Sequence, residues 1–239
     1  MSMSLLRQLL AYYANRVLPC QCLCCGSVSG KTLLCLACLQ DLPWLETVCQ
    51  QCCLPLVNHQ GALLCGECLN DPPPFDEVIA LFNYQSPINH LIHQLKFSRQ
   101  LSIARFMGEL LSKAVALPKA QPDIIIPVPL HPKRLRQRGF NQALEVARVI
   151  SKSLQIPLMT KAVIRSKYTV EQAGLPAEQR AANLAQAFSL QQPLHASSVA
   201  IVDDVMTTGH TVKALACLLR QQGVKRIAVW CCARTGFDE

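Results

Sequence analysis

The sequence contains no apolar run of 18 residues, so no segment reads as membrane-spanning. It has no internal repeat and no low-complexity tract. Neither a repeat array nor a long solvated tail is written into it. Aromatics are scarce, with Phe, Tyr and Trp totalling 13 residues. An extended base-stacking platform is therefore not legible. The first residues lack a small-residue cleavage site behind their short apolar patch, which Arg7 and Arg16 bracket, so they do not read as a signal peptide. Leu5, Leu6, Leu9, Leu10 and Tyr13 recur at helical spacing instead. That pattern predicts an amphipathic helix packed on the next element, in preference to a membrane-surface helix.

What is abundant is cysteine. Of 14 in the chain, 11 fall between Cys20 and Cys68. A leaderless chain is expected in the cytoplasm, where clustered thiols more often hold metal than form disulfides. Cys22, Cys25, Cys35 and Cys38 form two C-x2-C pairs, and Cys49, Cys52, Cys65 and Cys68 form two more. A two-residue gap turns both sulfurs of a tight loop toward one ion, and two such loops complete a tetrahedron. The pattern points to structural zinc at one or two sites, with disulfides and an iron–sulfur cluster as the alternatives. Four thiolates leave no open coordination position, so these sites carry no catalytic role. Gly26 follows the first pair, where a left-handed turn residue is needed, while Cys53 stands at the corresponding place after the second. Cys20, Cys24 and Cys53 are spare nearby and leave the register open.

The chain of 239 residues suits one α/β domain and an appendage. Asp71-Pro-Pro-Pro74 reads as a stiff boundary. It divides an amino-terminal helix and double zinc-ribbon-like module, residues 1–72, from a second domain, residues 75–239. Residues 1–68 carry three basic and three acidic side chains, so the net charge of +8 belongs to the rest. Between Lys96 and Arg180 the count is 15 basic against 5 acidic. Such a surplus suits a polyanionic partner.

The second domain begins with a strand, Val78–Tyr84, and a helix, Pro87–Phe97, with Ile88, Leu91, Ile92 and Leu95 inward. His90 and His93 lie on this helix three residues apart and read as solvated. A helix over Leu101–Leu117 and a buried strand over Asp123–Pro129 follow. The next stretch, Lys133-Arg-Leu-Arg-Gln-Arg138, has four basic residues in six and is expected as a basic loop. Gly139 then permits a sharp turn, and Asn141 caps the helix that runs to Leu154. Tyr168–Gly174 has no periodicity and reads as a mobile loop, with Pro176 opening a short helix. A final strand covers Ile227–Ala233.

The richest stretch is Val199-Ala-Ile-Val-Asp-Asp-Val-Met-Thr-Thr-Gly-His-Thr211. Four apolar residues make a buried strand, two carboxylates stand at its carboxyl end, and a hydroxyl-rich turn with one glycine leads into a helix. In open parallel sheets that end of the strands is where ligands bind. The turn suits a phosphate, because helix-end N–H groups and hydroxyls point inward and Gly209 admits close approach. The acid pair suits sugar hydroxyls.

This stretch resembles the signature by which type I phosphoribosyltransferases bind 5-phosphoribosyl 1-pyrophosphate (PRPP). The resemblance implies that Asp203 and Asp204 hold the ribose hydroxyls, and act in catalysis if the chain is active. It also implies that Met206, Thr207, Thr208, Gly209, His210 and Thr211 wrap the 5′-phosphate. A wider set recurs in order: the Cys pairs, Lys96-Phe97, Pro127-Val-Pro-Leu130, Arg138-Gly-Phe-Asn-Gln142, Gln172, Arg180, Asn183, Phe188 and the acid pair. By this set the chain is similar to the ComF/GntX family of bacterial proteins. That resemblance implies an α/β fold, with a type I phosphoribosyltransferase-like parallel sheet flanked by helices and a small Cys-rich zinc module before it. It implies Mg²⁺ accompanying PRPP, and pyrophosphate contacts from Lys96, Pro127, Val128, Pro129, Arg134 and Arg138. It implies a part in natural competence and the uptake and use of external DNA, with single-stranded DNA and proteins of the uptake machinery as partners. Three readings stay open. The chain is a transferase acting in nucleotide salvage, a PRPP-gated nucleic-acid binder, or an adaptor docking through its zinc module.

Overall fold

The structure, a computed structural model, describes residues 20–56, 63–116, 121–165 and 187–236. The expected amino-terminal helix, the Tyr168–Gly174 loop, the helix opened by Pro176, and Gln172, Arg180 and Asn183 lie outside these residues. The chain forms two compact units, Met1–Pro43 and Trp44–Glu239.

In the smaller unit β1 (Cys20–Gln21) pairs antiparallel with β2 (Val28–Gly30). The loop between them is closed by Cys22 N–H donating to Ser27 O at 2.8 Å and Gly26 N–H to Cys22 O at 2.9 Å. Gly26 sits at φ +75°, the left-handed turn expected after the first knuckle. Helix α1 (Leu36–Gln40) starts on Cys35.

The same wiring recurs at the start of the larger unit. Cys49 N–H donates to Leu54 O at 2.8 Å and Cys53 N–H to Cys49 O at 2.9 Å. Cys53 takes the left-handed turn at φ +56° without being glycine. Helix α2 (Gly66–Asn70) starts on Cys65 as α1 starts on Cys35. Two knuckle-and-helix modules are thus one local design used twice, a repeat that the differing intervening residues conceal.

The larger unit is built on a parallel sheet. Strand β3 (Glu77–Asn83) is followed by helices α3 (Ile88–Ser98) and α4 (Leu101–Val115). Strand β4 (Ile124–Pro127) leads into α5 (Pro132–Arg138) and α6 (Gln142–Leu154). A small antiparallel pair, β5 (Val163–Arg165) and β6 (Phe188–Leu190), comes next. Then come β7 (Ser198–Met206), α7 (His210–Gln221) and β8 (Arg226–Arg234). The sheet order is β3–β8–β7–β4 with every pairing parallel. Val199–Val202 of β7 and Ile227–Ala233 of β8 are continuous apolar, buried runs, as strands covered on both faces must be. Helix α4 packs on β3 and β8, and α6 packs on β4 and β7. On the face toward α7, Val199, Ile201, Val229 and Cys231 share a core with Val212, Leu215 and Leu219.

That core also holds Cys49, Cys52, Cys53, Leu54, Cys65 and Cys68 together with Phe75 and Val78. The compact unit that begins at Trp44 thus takes in the second cysteine set together with the sheet. Pro74 is tied down as well, because Arg220 of α7 donates to its carbonyl at 2.9 Å. The stretch expected as a basic loop is helix α5. His131 caps it by accepting the Lys133 N–H on Nδ1 at 3.1 Å, Pro132 supplies a pre-set first turn, and Gly139 ends it at φ +81°. Among the described residues no helix is long and apolar enough to cross a membrane.

Candidate phosphoribosyl site and cysteine clusters

Strand β7 carries Asp203 and Asp204 to the carboxyl edge of the sheet. Successive strand residues leave toward opposite sides, yet the two carboxyls bend close enough to interact directly. Asp203 accepts the Asp204 N–H at 2.9 Å, and Asp204 accepts the Val205 N–H at 3.0 Å. The buried Oδ2 of Asp204 meets the Lys96 ammonium of α3 at 2.7 Å. Burial, followed by the like charge of Asp204, pushes the Asp203 carboxyl well above the usual carboxylate range.

Beyond the acids, Gly209 at φ +74° turns the chain into α7. A Cβ added there would meet only Met206 Cε, the movable end of a flexible side chain, at 2.7 Å, so it is the left-handed conformation that favours glycine. Met206 is buried, whereas Thr207 and Thr208 are exposed at the rim. Thr208 Oγ1 and His210 Nδ1 share a hydrogen bond at 2.9 Å. Thr211 lies in the first turn of α7, so residues 206–211 run from the strand end to the helix amino terminus.

Beside the acid pair opens a cavity of about 380 Å³ lined by Lys96, Phe97, Arg99, Arg134, Gln137 and Arg138. Four of these six residues are cations and none is acidic. Three of the cations, Lys96, Arg134 and Arg138, are among those the sequence singled out. Pro127, Val128 and Pro129 do not line the cavity. Val128 N–H instead donates to Val202 O at 2.9 Å, and Val128 O accepts from Asn141 Nδ2 at 2.9 Å, which fixes the connection from β4 to α5. Arg138 donates to Gln142 Oε1 at 3.2 Å and stands 5.4 Å from the centre of the Phe97 ring. Burial lowers the Arg138 pKa, with Asp204 opposing and Arg134 reinforcing that shift. His131, at the start of α5, is lowered by desolvation and then by Arg165, Arg136, Arg134 and Lys133.

Sequence reasoning missed Arg99 and Arg165. Arg99 ends α3 in the left-handed conformation, φ +55°, and its guanidinium lies over Gly139. A Cβ at Gly139 would approach Arg99 Nη2 to 3.1 Å. Only its place within the basic window hinted at this role. Arg165 stands at the end of β5, 5.6 Å from the Phe188 ring centre. Burial lowers its pKa, Arg134 lowers it further, and Asp203 raises it, which places it in the field of both.

The cysteines resolve into two sets, Cys22, Cys25, Cys35 and Cys38, and Cys49, Cys52, Cys65 and Cys68. Within each set all sulfurs lie within 4.8 Å of one another. Cys20, Cys24 and Cys53 are in neither. A tetrahedral Zn²⁺ with bonds of about 2.3 Å sets its sulfurs about 3.8 Å apart. Cys25 and Cys35 stand at 3.7 Å and Cys52 and Cys65 at 3.6 Å. Burial opposes ionisation of Cys22, but N–H groups of Cys35, Cys25 and Cys24 outweigh it and bring the thiol down to about 6. Cys49 is likewise brought to about 7 by N–H groups of Cys52, Cys65 and Gln51 against burial. Their neighbours Cys38 and Cys68 are pushed up. In the first set Cys25 is lowered as well, chiefly by its hydrogen bond with Ser27. Both sets therefore have the donors and spacing to hold zinc.

Residues 138–236 match the phosphoribosyl transferase domain family. DNA utilization protein YhgH of Shigella flexneri is 39% identical over 211 residues, 86% of this chain and 92% of that protein. YhgH of Escherichia coli strain K12 is 38% identical over the same shares. Competence protein F of Haemophilus influenzae is 39% identical over 194 residues, 75% of this chain and 85% of that protein. The chain belongs to this family, the ComF/GntX group of competence and DNA utilization proteins built on a phosphoribosyl transferase domain.

Proposed function

We propose that the chain binds PRPP at the carboxyl edge of β7 and β4 and acts, in the cytoplasm, in the uptake and use of external DNA. The observation that carries this reading is the cavity beside Asp204, lined by four cations and no carboxylate. PRPP has a 5′-phosphate, two ribose hydroxyls and a pyrophosphate. The turn at residues 206–211 suits the first, Asp203 and Asp204 the second, and the cationic cavity the third. Arginine forks at Arg99, Arg134 and Arg138 match phosphate oxygens in pairs. Lys96 bridges the two halves, since it pairs with Asp204 and also lines the cavity. Mg²⁺ would enter as an escort of the ligand, held by phosphate oxygens and water, because the cavity offers it no carboxylate. The DNA role is supported by relatives named for DNA utilization and competence. Cytoplasmic placement rests on thiol clusters suited to a reducing compartment.

Calorimetric titration of PRPP tests the reading, with Asp204→Asn as the control. Absence of saturable binding to metal-loaded protein would defeat it. Single-stranded DNA is the second ligand proposed. The same cations and the exposed Phe97, 61% accessible at the cavity rim, support it. Its affinity for an oligothymidylate should fall steeply with salt, by a logarithmic slope of about 0.7 per phosphate contact. A salt-insensitive affinity would count against contact through this surface. If the chain instead transfers phosphoribose in salvage, pyrophosphate appears in step with consumption of a nucleobase. The cations would then stabilise the leaving group as charge develops on it.

A further inference from the structure

Arg234 is a buried cation that the PRPP reading does not use. It ends β8 and is 6% exposed. It donates to backbone carbonyls. Nε donates to Cys52 O at 3.2 Å, and Nη1 donates to Met206 O at 3.1 Å, to Thr235 O at 3.0 Å and to Thr207 O. Three segments meet on one side chain. Cys52 belongs to the second cysteine set, and Met206 and Thr207 begin the phosphate turn. A buried guanidinium is tolerated only with its donors satisfied, so Arg234 and these carbonyls hold one another in place.

The consequence lies in peptide geometry. A peptide unit is planar and trans, so its C=O and N–H point in opposite directions. Turning the Met206 and Thr207 carbonyls onto Arg234 turns the N–H groups of Thr207 and Thr208 away from it. These N–H groups and those of Gly209 and His210 are the donors a phosphate would need at this turn. On the Nε side of the same guanidinium, Cys52 is held by its neighbours in the sulfur cluster, with Cys65 at 3.6 Å. A divalent ion on four thiolates leaves a net negative charge there, which favours a guanidinium on the carbonyl of a ligand residue.

We propose that Arg234 is a positioning residue that couples the two sites. Metal among Cys49, Cys52, Cys65 and Cys68 fixes the Cys52 carbonyl, Arg234 transmits that order to Met206 and Thr207, and the turn is pre-formed for its anion. Occupancy of the cluster and affinity for the phosphate ligand are then reciprocally linked. The inference rests on reading residues 206–211 as the phosphate turn of a PRPP site.

The test uses the full chain carrying Cys25→Ser and Cys38→Ser, so that only the second cluster can fill. Hydrogen exchange at the amides of residues 207–210 and PRPP titration are measured with zinc bound and after chelation. Removing zinc should speed exchange at these amides and weaken PRPP about tenfold, within the usual range of such couplings. Arg234→Gln with zinc bound should show the same loosened turn and the same weakening, and chelation should then add little. Arg234→Lys keeps the charge without the fork and should recover part of the protection. The coupling is overturned if exchange at 207–210 ignores zinc while the sheet amides stay protected. It is equally overturned if the response to zinc survives Arg234→Gln. Should no form bind PRPP, the ligand reading fails, and the exchange data still decide the coupling. If Arg234→Gln does not fold, Arg234→Lys and chelation of the parent decide it.

Discussion

Removing the Arg134 guanidinium should weaken pyrophosphate binding without destabilising the empty protein. Arg134 lines the cationic cavity, and its charge lowers the pKa of Arg138, Arg165 and His131. Those effects are like-charge repulsion, so Arg134→Ala relieves the empty site by a few tenths to about 1 kcal/mol at this half-exposed position. With pyrophosphate bound, the same change deletes a charge-assisted hydrogen bond worth about 1.5–3 kcal/mol. That loss corresponds to roughly a 10- to 150-fold rise in Kd. Pyrophosphate at about 100 times Kd stabilises the parent by about 2.7 kcal/mol. At about 2–4 °C per kcal/mol for a chain of this size, Tm rises by about 5–11 °C. The variant at the same pyrophosphate concentration should show half that rise or less, from a starting Tm equal to or above the parent's. Calorimetry with inorganic pyrophosphate and paired melts provide the readings. Arg105→Ala serves as a control, since Arg105 is exposed on α4 and paired with Glu109 at 2.8 Å. A lower Tm for the empty variant together with an unchanged Kd would refute the assignment of the cavity.

His131 should titrate below 6.5 by NMR, because desolvation and then four nearby cations disfavour its charged form. A depressed folded pKa means that His131 stabilises the fold fully above the unfolded value and less as pH falls through the window beneath it. Arg134→Ala should move the midpoint up. Gly108 faces Val149 across the α4–α6 contact, where an added Cβ would stand 2.7 Å from Val149 Cβ. Gly108→Ala should lower stability by about 1–3 kcal/mol for overpacking, offset by up to about 1 kcal/mol of helix propensity, and Val149→Ala should recover only part of the loss in denaturant melts, because alanine keeps the Cβ that clashes. Metal analysis should find two zinc ions per chain, unchanged by Cys20→Ser or Cys24→Ser and reduced to one by Cys52→Ser, since only the last belongs to a sulfur set.

Signals confined to a few consecutive residues were legible in the sequence. The run Val199–Thr211 spells strand, acid pair, turn and helix, and each part depends on its immediate neighbours. The C-x2-C pairs specify two sets of four sulfurs because a tight loop converges two of them without help. Helix α3 announced its buried face through Ile88, Leu91, Ile92 and Leu95. Helix α5 was read as a loop because its charge hid Pro132 and Gly139, a start and a stop placed seven residues apart.

By itself the sequence determined the strand, turn and helix of residues 199–211, the acid pair, the eight paired cysteines and the basic character of the middle of the chain. Only tertiary structure decided which cations meet. Arg99 reaches the cavity because α3 ends in a left-handed residue under Gly139, some 40 positions further along the chain. Arg234 joins Cys52 to Met206 and Thr207 because parallel pairing lays the ends of β7 and β8 side by side against the knuckle. The second cysteine set belongs to the larger unit because its apolar surroundings are completed by Phe75, Val78 and Cys231. Local spacing records what a short segment does alone. Contacts between segments far apart in sequence follow from how the sheet closes and what its faces bury, and no short pattern encodes them.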